Sequence, residues 1–398
     1  MNVPKLRFKE FTDKWQKVPL NLFTNIYGGY AFKSENLLNY KAKYQVIKMG
    51  NVNNNTLNLE KNPSYLNTIS QKELPYLLEK NDIILTLTGT FGKKDFGYSY
   101  QIKNETNLLL NQRLAVFKIT NSNYSANFLK YILLNNTFLN KFFRFSVGGT
   151  GNQANVSIQD IKSFKIPFPK LEEQNKIANF LTTVDKKITN LENTIISLEN
   201  QKEGLLQQIF SQKLRFKDKN GNNYPNWEKK KLEDIAIFLD NKRKPLEQSE
   251  RIHGKYPYYG ASGIIDYIND YIFDEELVLL SEDGANIIDR NYPICYIATG
   301  KYWVNNHAHV LKVKSQYVNK FICESLEQLN YTKYNTGTAQ PKLNQDVCRK
   351  IILSIPCLEE QTKIANFLST FDRKLENQKA QLEHWKQIKK GLLQQMFV

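Results

Sequence analysis

Three short segments of the chain carry residue types found in catalytic or nucleotide-binding motifs. GTFGKKD at Gly89–Asp95 has the glycines and lysine of a phosphate-binding loop, but its spacing is too short and no Ser or Thr follows the lysine. NPSY at Asn62–Tyr65 lacks the second proline of the adenine-methyltransferase tetrapeptide, and no glycine-rich turn for S-adenosylmethionine precedes it. Residues 266–276 hold several carboxylates, which could bind Mg²⁺ in a nuclease but are better explained as an exposed acidic face. We therefore expect no catalytic residues.

Histidine and cysteine give no metal-binding pattern either. His307 and His309 lie two residues apart, which on a strand places both side chains on one face. A metal ion would need a third ligand, which the sequence does not identify, and the chain has only 4 His. The 4 Cys show no paired spacing, which argues against a disulfide framework or a zinc site. We expect no metal site and a reducing, cytoplasmic environment.

The composition indicates a folded protein that meets a polyanion. The 398 residues carry a formal net charge of +16, and 41% of them are hydrophobic, which excludes wholesale disorder. The sequence has no run of 18 apolar residues, and its first segment lacks the apolar core of a signal peptide, so we expect no membrane association. Nucleic acid is the first candidate partner, and a lysine-rich surface that only maintains solubility is the alternative.

A long internal repeat organises the sequence. LEEQNKIANFLTTVDKK at Leu171–Lys187 returns as LEEQTKIANFLSTFDRK at Leu358–Lys374, with an offset of 187 and 4 differences in 17 positions. With the same offset, GLLQQIF at Gly204–Phe210 returns as GLLQQMF at Gly391–Phe397. A repeat of this length indicates duplication. We expect the Leu–Leu–Gln–Gln segments at these helix ends to be exposed for partner proteins.

A second repeated block opens each half of the chain. KLRFK at Lys5–Lys9 returns at Lys213–Lys217, and a tryptophan follows each copy, Trp15 and Trp227. The long segments that follow, residues 20–165 and 230–352, share only short similarities. Two similar frames with dissimilar inserts suit a protein that recognises two different targets, one with each insert.

Two inserts share a small loop pattern. TGNQ at Thr150–Gln153 corresponds to GTAQ at Gly337–Gln340, and the two glutamines again lie 187 residues apart.

The repeated blocks predict two long helices with a heptad seam. Apolar residues recur at steps of four and three, Lys202 and Lys389 fill the same slot of the seam, and Glu residues occupy each first turn. A helix pair, antiparallel if a pseudo-two-fold axis relates the halves, is favoured over two amphipathic helices that each pack on their own domain. At about 1.5 Å per residue each helix should be about 60 Å long. The predicted seam residues are Ile177, Leu181, Val184, Ile188, Leu191, Ile195, Leu198, Ile364, Leu368, Phe371, Leu375, Leu382 and Trp385.

The combination of these blocks resembles the specificity (S) subunit of type I restriction–modification enzymes. Besides the repeats, the resemblance rests on insert segments such as GGYAFKS at Gly28–Ser34, IKMGNV at Ile47–Val52, SEDGAN at Ser281–Asn286 and GKYWVNNHAHVL at Gly300–Leu311. It implies an α+β fold with two α/β target-recognition domains separated by a pair of long antiparallel coiled-coil helices. The implied segments are domain 1 (1–168), a central spacer helix (169–212), domain 2 (213–355) and a C-terminal spacer helix (356–398).

The same resemblance implies function and partners. Each target-recognition domain would read one half of a bipartite target in double-stranded DNA. Two methyltransferase (M) subunits would dock on the helices, and restriction/translocase (R) subunits would join them. No cofactor is expected on this chain, because S-adenosylmethionine would belong to the M subunit and ATP and Mg²⁺ to the R subunit. The rival functions are a coiled-coil scaffold that binds only proteins and a stand-alone enzyme, which the missing motifs disfavour.

Candidate DNA contacts are basic, amide and hydroxyl residues beside turns, since these groups bind base edges and phosphates. For each residue alone, an exposed polar side chain without a function is an equally good interpretation. Gln153 and Gln340 are the strongest candidates because they occupy equivalent places, and the basic run at 242–244 suits phosphate. The full set is Lys33, Ser34, Lys48, Asn51, Thr90, Lys93, Lys94, Arg113, Gln153, Lys242, Arg243, Lys244, Tyr258, Tyr259, Lys301, Asn306, His307, Gln340 and Lys342.

Overall fold

The computed structural model of the chain describes residues 3–148 and 152–398. Thr150 and Gly151 of the predicted loop similarity lie outside these residues. The chain divides into two compact units, one formed by Met1–Leu191 with Gln381–Val398 and the other by Glu192–Ala380. Each unit therefore contains one insert together with parts of both long helices.

The first unit is built mainly of short strands. Its strands are β1 Gln16–Pro19, β2 Thr24–Gly28, β3 Tyr44–Ile47, β4 Val52–Asn53, β5 Thr56–Leu57, β6 Tyr65–Leu66, β7 Ile83–Thr86, β8 Thr88–Thr90, β9 Ser99–Gln101, β10 Leu108–Leu110, β11 Leu114–Ile119, β12 Val147–Gly148, β13 Gln153–Asn155 and β14 Lys165–Phe168. Its short helices are α1 Ala126–Leu134, α2 Asn136–Arg144 and α3 Ile158–Ser163, and the long helix α4 covers Leu171–Phe210.

The second unit repeats this plan with fewer strands. Its strands are β15 Glu228–Lys231, β16 Ala236–Phe238, β17 His253–Gly260, β18 Gly263–Ile268, β19 Phe273–Asp274, β20 Leu277–Ser281, β21 Cys295–Ala298, β22 Lys301–Val304, β23 Ala308–Val313 and β24 Ile352–Ile355. Its helices are α5 Leu232–Ile235, α6 Asn286–Asp289, α7 Asn319–Glu327 and α8 Gln345–Arg349, and the long helix α9 covers Leu358–Gln395.

The two inserts share a central sheet despite their dissimilar sequences. In the first unit the antiparallel order is β2-β11-β7-β9, and in the second it is β16-β23-β20-β21. Counted along the chain, both orders are first, fourth, second, third. The middle strands β7 and β20 consist of buried aliphatic residues apart from one polar residue each, because the sheet is covered on both faces. In each unit a pair of outer strands, β1 with β14 and β15 with β24, brings the ends of the insert together.

The two long helices are antiparallel within each unit. In the second unit Glu199 binds Lys379 while Lys202 binds Asp372, so the partner number falls as the α4 number rises. The predicted seam residues on α4 are all buried, from Ile177 to Leu198. On α9 the seam residues Ile364, Leu368 and Leu375 are buried, whereas Phe371, Leu382 and Trp385 are half-buried. The predicted helix pair is thus present.

Two further expectations concern membranes and disulfides. Across the described parts of the chain, no helix combines the length and the apolar composition that a membrane span requires. All 4 cysteines are free thiols.

Candidate nucleic-acid interface

The repeated motifs form a joint between each insert and a long helix. In the first unit the Arg7 guanidinium, from the KLRF opener, makes a bidentate ion pair with Glu173 of α4. Both N–O distances are 2.7 Å. The indole N–H of Trp15 donates to the same carboxylate at 3.3 Å. Glu173 is 2% exposed, so this carboxylate depends on these partners.

The second unit contains the same joint. Arg215 binds both oxygens of Glu360 at 2.7 and 2.8 Å, and the Trp227 indole donates to Glu360 at 3.0 Å. The arginine, tryptophan and glutamate recur in both halves of the sequence because the same contacts attach each long helix to the opener of its unit.

The glutamine after each anchoring glutamate ties the helix start to its insert. The Gln174 side chain accepts from the backbone N–H of Ser125 at 2.9 Å and donates to the Pro169 carbonyl. Gln361 accepts from the Val318 N–H at 3.0 Å and donates to the Pro356 carbonyl. The LEEQ motif is therefore explained by packing of helix against insert.

The structure corrects the expectation of exposed Leu–Leu–Gln–Gln helix ends for the leucines, whereas the glutamines of both segments are exposed. Leu392 and Leu393 pack against the hydrophobic core of the first unit, and Phe397 contacts the ring of Trp15. In the second unit Leu206 is 7% exposed, and Phe210 contacts the ring of Trp227. Leu206 and Phe397 are buried and the other three apolar residues are half-buried, because each helix end completes the core of a unit.

The lysines in the heptad seam bind half-buried aspartates. Lys389 lies 2.7 Å from Asp185 in the first unit, and Lys202 lies 2.6 Å from Asp372 in the second. The two aspartates are themselves 187 residues apart. Burial alone would raise the pKa of the Asp185 carboxyl, but the charge of Lys389 outweighs it and the pKa is lowered. These clusters place opposite charges facing each other along the seam and so favour one alignment of the helices.

In the first unit the structure brings several predicted DNA-contact loops together. Thr90 of β8 lies opposite Gln153 of β13, and the turn with Lys93 and Lys94 follows directly. Phe91 lies in this turn and is 56% exposed. The sequence did not single out this phenylalanine, although its position between Thr90 and two lysines was a usable signal.

Other predicted loops of the first unit are joined to one another through backbone bonds. Tyr30 pairs with Asn111, whose N–H also donates to the Ile47 carbonyl. Gly29 permits this approach, because a Cβ there would lie 2.1 Å from the Asn111 carbonyl oxygen. The exposed residues Lys33, Ser34 and Arg113 lie on or beside these segments.

Two predicted contacts of the first unit have structural partners instead. Asn51 is 3% exposed; its side chain accepts from the Lys48 N–H and donates to two backbone carbonyls. The Lys48 ammonium donates to Ser64 at 2.5 Å. This geometry favours a loop-stabilising role for Asn51.

In the second unit residues from four segments, among them the predicted contacts His307 and Gln340, line one open depression of about 520 Å³. Its lining includes Ser262, Asn305, His307 and Gln340. Asp283 also lies there and accepts from His307 Nδ1 at 2.9 Å. Acceptors and amides of this kind match the donors and acceptors on base edges. Sequence reasoning missed the lining residues Asp283, Asn286, Asn291 and Tyr292, of which the first two belong to the SEDGAN segment that carried the resemblance.

Five other predicted residues of the second unit have exposed side chains. Lys242, Lys244, Asn306 and Lys342 are exposed. Lys301 is also exposed and lies 4.5 Å from the ring centre of Tyr271.

Tyr258 and Arg243 point inward. Tyr258 is 1% exposed and its hydroxyl accepts from the Leu246 N–H, whereas Tyr259 is half-buried. The Arg243 guanidinium binds Glu282 at 2.6 Å and the Ala308 carbonyl at 2.8 Å. These contacts favour a structural role for both residues over the predicted DNA contact.

The two neighbouring histidines do not share a face, contrary to the sequence expectation. His307 precedes β23 in a turn and its side chain is 49% exposed, whereas His309 lies within β23 and is 1% exposed. The structure also supplies neighbours that the sequence did not identify, since ligand-type atoms of Asp240, Glu282 and His309 lie within 4.8 Å of one another.

Comparisons with known proteins agree with this geometry. The profile of the family described as "Type I restriction modification DNA specificity domain" matches residues 12–200 and 224–384. A putative type I restriction enzyme specificity subunit of Haemophilus influenzae is 38% identical over 35% of this chain and 36% of its own length. The type I restriction enzyme MjaVIII specificity subunit of Methanocaldococcus jannaschii is 25% identical over 82% of this chain and 80% of its own length. The first of these alignments thus spans about a third of that relative.

Solved structures confirm the fold class. The S subunit of a type I restriction–modification system from M. genitalium superposes with a TM-score of 0.65 at 18% identity, covering 100% of this chain and 99% of that one. A chain from a structural study of assembly and conformational transition in the type I system gives 0.56 at 13% identity, covering 96% and 97%. Because the family profile covers most of both halves, the chain belongs to the type I restriction–modification DNA specificity family, which confirms the expectation that it is a non-catalytic specificity subunit.

Proposed function

We propose that this chain reads a bipartite target in double-stranded DNA and directs a methyltransferase and a restriction motor to it. One observation carries the proposal: two units with the same central strand order present different loops. A shared frame with different loops suits one reader for each of two different half-sites. The family profile, which matches once in each half, supports the same conclusion.

The chemistry of the loops supports DNA as the ligand. Exposed lysines, such as Lys93 and Lys94 in the first unit and Lys242 and Lys244 in the second, suit phosphate oxygens. The amides of Gln153 and Gln340 suit adenine edges. The net charge of +16 favours a polyanionic partner.

The experiment is sequencing of modified bases in DNA from cells that express this chain with its methyltransferase subunit. The expected result is methylation at one motif with two defined half-sites and a fixed gap. Cells that express the methyltransferase subunit alone are the control and should lack that motif. If both cells show the same modification pattern, the chain does not direct the methyltransferase.

The proposed complex contains two methyltransferase subunits per chain, because the joint between helix and insert occurs twice with the same Arg–Glu–Trp geometry. The methyltransferase subunits would bring S-adenosylmethionine, and the restriction subunits would bring ATP and Mg²⁺. Exposed apolar side chains on α4, such as Ile196 at 56% exposure, offer docking area in addition to the exposed glutamines at the helix ends.

Native mass spectrometry of the assembled complex tests this stoichiometry. We expect two methyltransferase copies per chain at saturation. A complex that holds a single copy at a large excess of methyltransferase would contradict the proposal.

A further inference from the structure

Four loops of the second unit meet above one buried ionic cluster. The loops are residues 240–244, 281–286, 305–309 and 336–345, and together they carry Lys242, Lys244, Asn306, His307, Gln340 and Lys342 from the set of predicted DNA contacts. The cluster beneath them consists of Asp240, Arg243, Glu282 and His309.

The hydrogen bonds of His309 define its protonation. Nε2 lies 2.7 Å from the carbonyl oxygen of Leu343, which can only accept, so Nε2 carries a hydrogen. Nδ1 lies 2.7 Å from a carboxylate oxygen of Asp240. That carboxylate already accepts from the Val310 N–H and the Gln345 amide, so it acts as an ionised acceptor and Nδ1 carries a hydrogen as well. An imidazole ring with hydrogens on both nitrogens is positively charged.

The charges around His309 compensate this cation. Besides Asp240, the Glu282 carboxylate lies 3.7 Å from Nδ1, and Arg243 pairs with Glu282 at 2.6 Å and lies 3.5 Å from Asp240. Lys342 lies 3.5 Å from Glu282 at the surface, and the Cys348 thiol faces the ring from α8. Burial alone would lower the pKa of His309, but the hydrogen bond with Asp240 and the neighbouring Cys348 side chain together outweigh it, and the pKa is raised to about 10.

The same cluster fixes the backbone of the loops. The Leu343 N–H donates to the Glu282 carbonyl at 2.7 Å, and the Glu282 N–H donates to the His307 carbonyl at 2.9 Å. The Gly284 N–H donates to the Pro341 carbonyl at 3.0 Å, next to Gln340. With the Arg243 bonds to the Asn306 and Ala308 carbonyls, each of the four loops is held by the cluster.

A metal site is the alternative use of these residues. Asp240, Glu282 and His309 have ligand-type atoms within 4.8 Å of one another. A metal ion would require a ring nitrogen without its hydrogen and would compete with the Arg243 guanidinium for Glu282. The geometry shows both ring nitrogens at hydrogen-bond distance from acceptors, which favours the imidazolium.

We propose that His309 is held as an imidazolium at neutral pH and is the positioning residue that sets the four DNA-reading loops of the second unit. His309 itself does not touch DNA; it acts through Asp240, Leu343 and the loops attached to them. The inference rests on the proposed function for its consequence in DNA reading, but the charge state of His309 can be measured without DNA.

The first measurement is nitrogen NMR of histidine-labelled full-length chain between pH 5.5 and 9. We expect one ring, assigned by its loss in His309→Gln, to keep both nitrogens protonated throughout the range. The exposed His384 ring, assigned by its loss in His384→Gln, is the reference for the method. A neutral His309 ring at pH 7, or loss of a ring hydrogen from His309 when Zn²⁺ is added, would overturn the proposal.

The second measurement is half-site discrimination by the complex with methyltransferase subunits. DNA binding is compared for the intact target and for targets altered in one half-site. In His309→Gln and in Asp240→Asn we expect discrimination at one half-site to fall by about tenfold or more, since well-placed base contacts supply that much, and discrimination at the other half-site to stay. His253→Gln, at an exposed position of β17, is the matched control and should leave both unchanged.

The outcomes separate this inference from the proposed function. If His309→Gln folds and discriminates as the unchanged chain does at both half-sites, His309 is not a positioning residue. If His309→Gln does not fold, Gln345→Ala takes its place, because it removes only the bond from Gln345 to Asp240. This variant must then weaken discrimination at the same half-site, or the inference fails. If the unchanged chain binds no specific DNA, the proposed function fails, whereas the NMR result still decides the charge state.

Discussion

The repeated residues are explained by single contacts. Glu173 and Glu360 are each nearly or fully buried, and each is paired with one arginine and one tryptophan from the opener of its own unit. Sequence comparison of the two halves found these residues as repeats but could not assign a role, because the arginine and the glutamate are 166 residues apart in the first unit. Because this buried ion pair joins the opener to the long helix across the whole insert, the opener and the helix block recur together in each half of the chain.

Glu173→Gln should destabilise the first unit. The substitution removes the negative charge that Arg7 faces at a site where both side chains are largely buried, so we expect a loss of roughly 2–3 kcal/mol in the free energy of unfolding. Urea unfolding monitored by tryptophan fluorescence measures it. Glu172→Gln, at the exposed neighbouring position, is the control. Equal effects of the two substitutions would contradict the role of the buried pair.

The charge state of His309 predicts a stability loss at alkaline pH. The folded pKa of His309 is raised from the ordinary 6.5 to about 10, since the bond with Asp240 and the neighbouring Cys348 side chain together outweigh burial. Protonated His309 therefore contributes its full stabilisation to the folded state below pH 6.5, and this contribution is lost as pH rises toward 10. The free energy of unfolding should fall by up to about 1.4 kcal/mol per pH unit in this range. Urea unfolding at pH 6, 8 and 10 measures the slope.

The control for this slope is His309→Gln, which retains the other titrating groups. The difference between the two chains should shrink as pH rises through this window. A difference that stays constant from pH 6 to pH 10 would show that His309 does not titrate with an elevated pKa.

At the scale of elements, the long helices were predictable and the inserts were not. The heptad pattern gave the helices, their seam and the two seam lysines, because a period of 3.5 residues is visible in a single sequence. The acidic partners of those lysines, Asp185 and Asp372, became visible only in the structure. The common strand order of the inserts was hidden because a buried strand requires only apolar residues, and many sequences satisfy that requirement.

The antiparallel pairing determines where the two long helices can be lengthened without losing their contacts. We predict that the helix length sets the gap between half-sites. Heptads inserted beside Lys202 and Lys389 would not lie opposite each other, because Lys202 faces Asp372 and Lys389 faces Asp185. Insertions after Leu191 and after Ala380, where the chain divides into its two units, keep both lysine clusters intact.

A heptad at both positions should lengthen the gap. Seven residues add about 10 Å along a helix, and DNA rises about 3.4 Å per base pair, so the gap should grow by up to about three base pairs. Tilt of the helices relative to the DNA would reduce this figure, and rotation of the second half-site around the duplex would weaken binding. Sequencing of the modified motif measures the gap. A lengthened chain that still modifies the original motif with the original gap would show that the helices do not set the distance.

At the scale of the whole molecule, the two inserts are separable from the duplicated frame that carries them. The ends of each insert are adjacent in an outer strand pair, since Lys231 lies opposite Ile352 in the pairing of β15 with β24. The loops that would read DNA lie between these ends, whereas the anchors Arg215, Trp227 and Glu360 lie outside residues 230–352. A graft with these boundaries therefore replaces the reader and leaves its joint to the helix unchanged.

Replacing residues 230–352 with the corresponding insert of another specificity subunit should change one half-site and leave the other unchanged. The expectation follows from the separate hydrophobic cores of the two units and from the outer strand pair that closes the graft. The measurement is the modified motif in cells that express the chimera with the same methyltransferase subunit. A graft of the insert's own sequence with silent junction changes controls for expression. If both half-sites change together, the two units do not read DNA independently, and the duplicated frame must have another purpose.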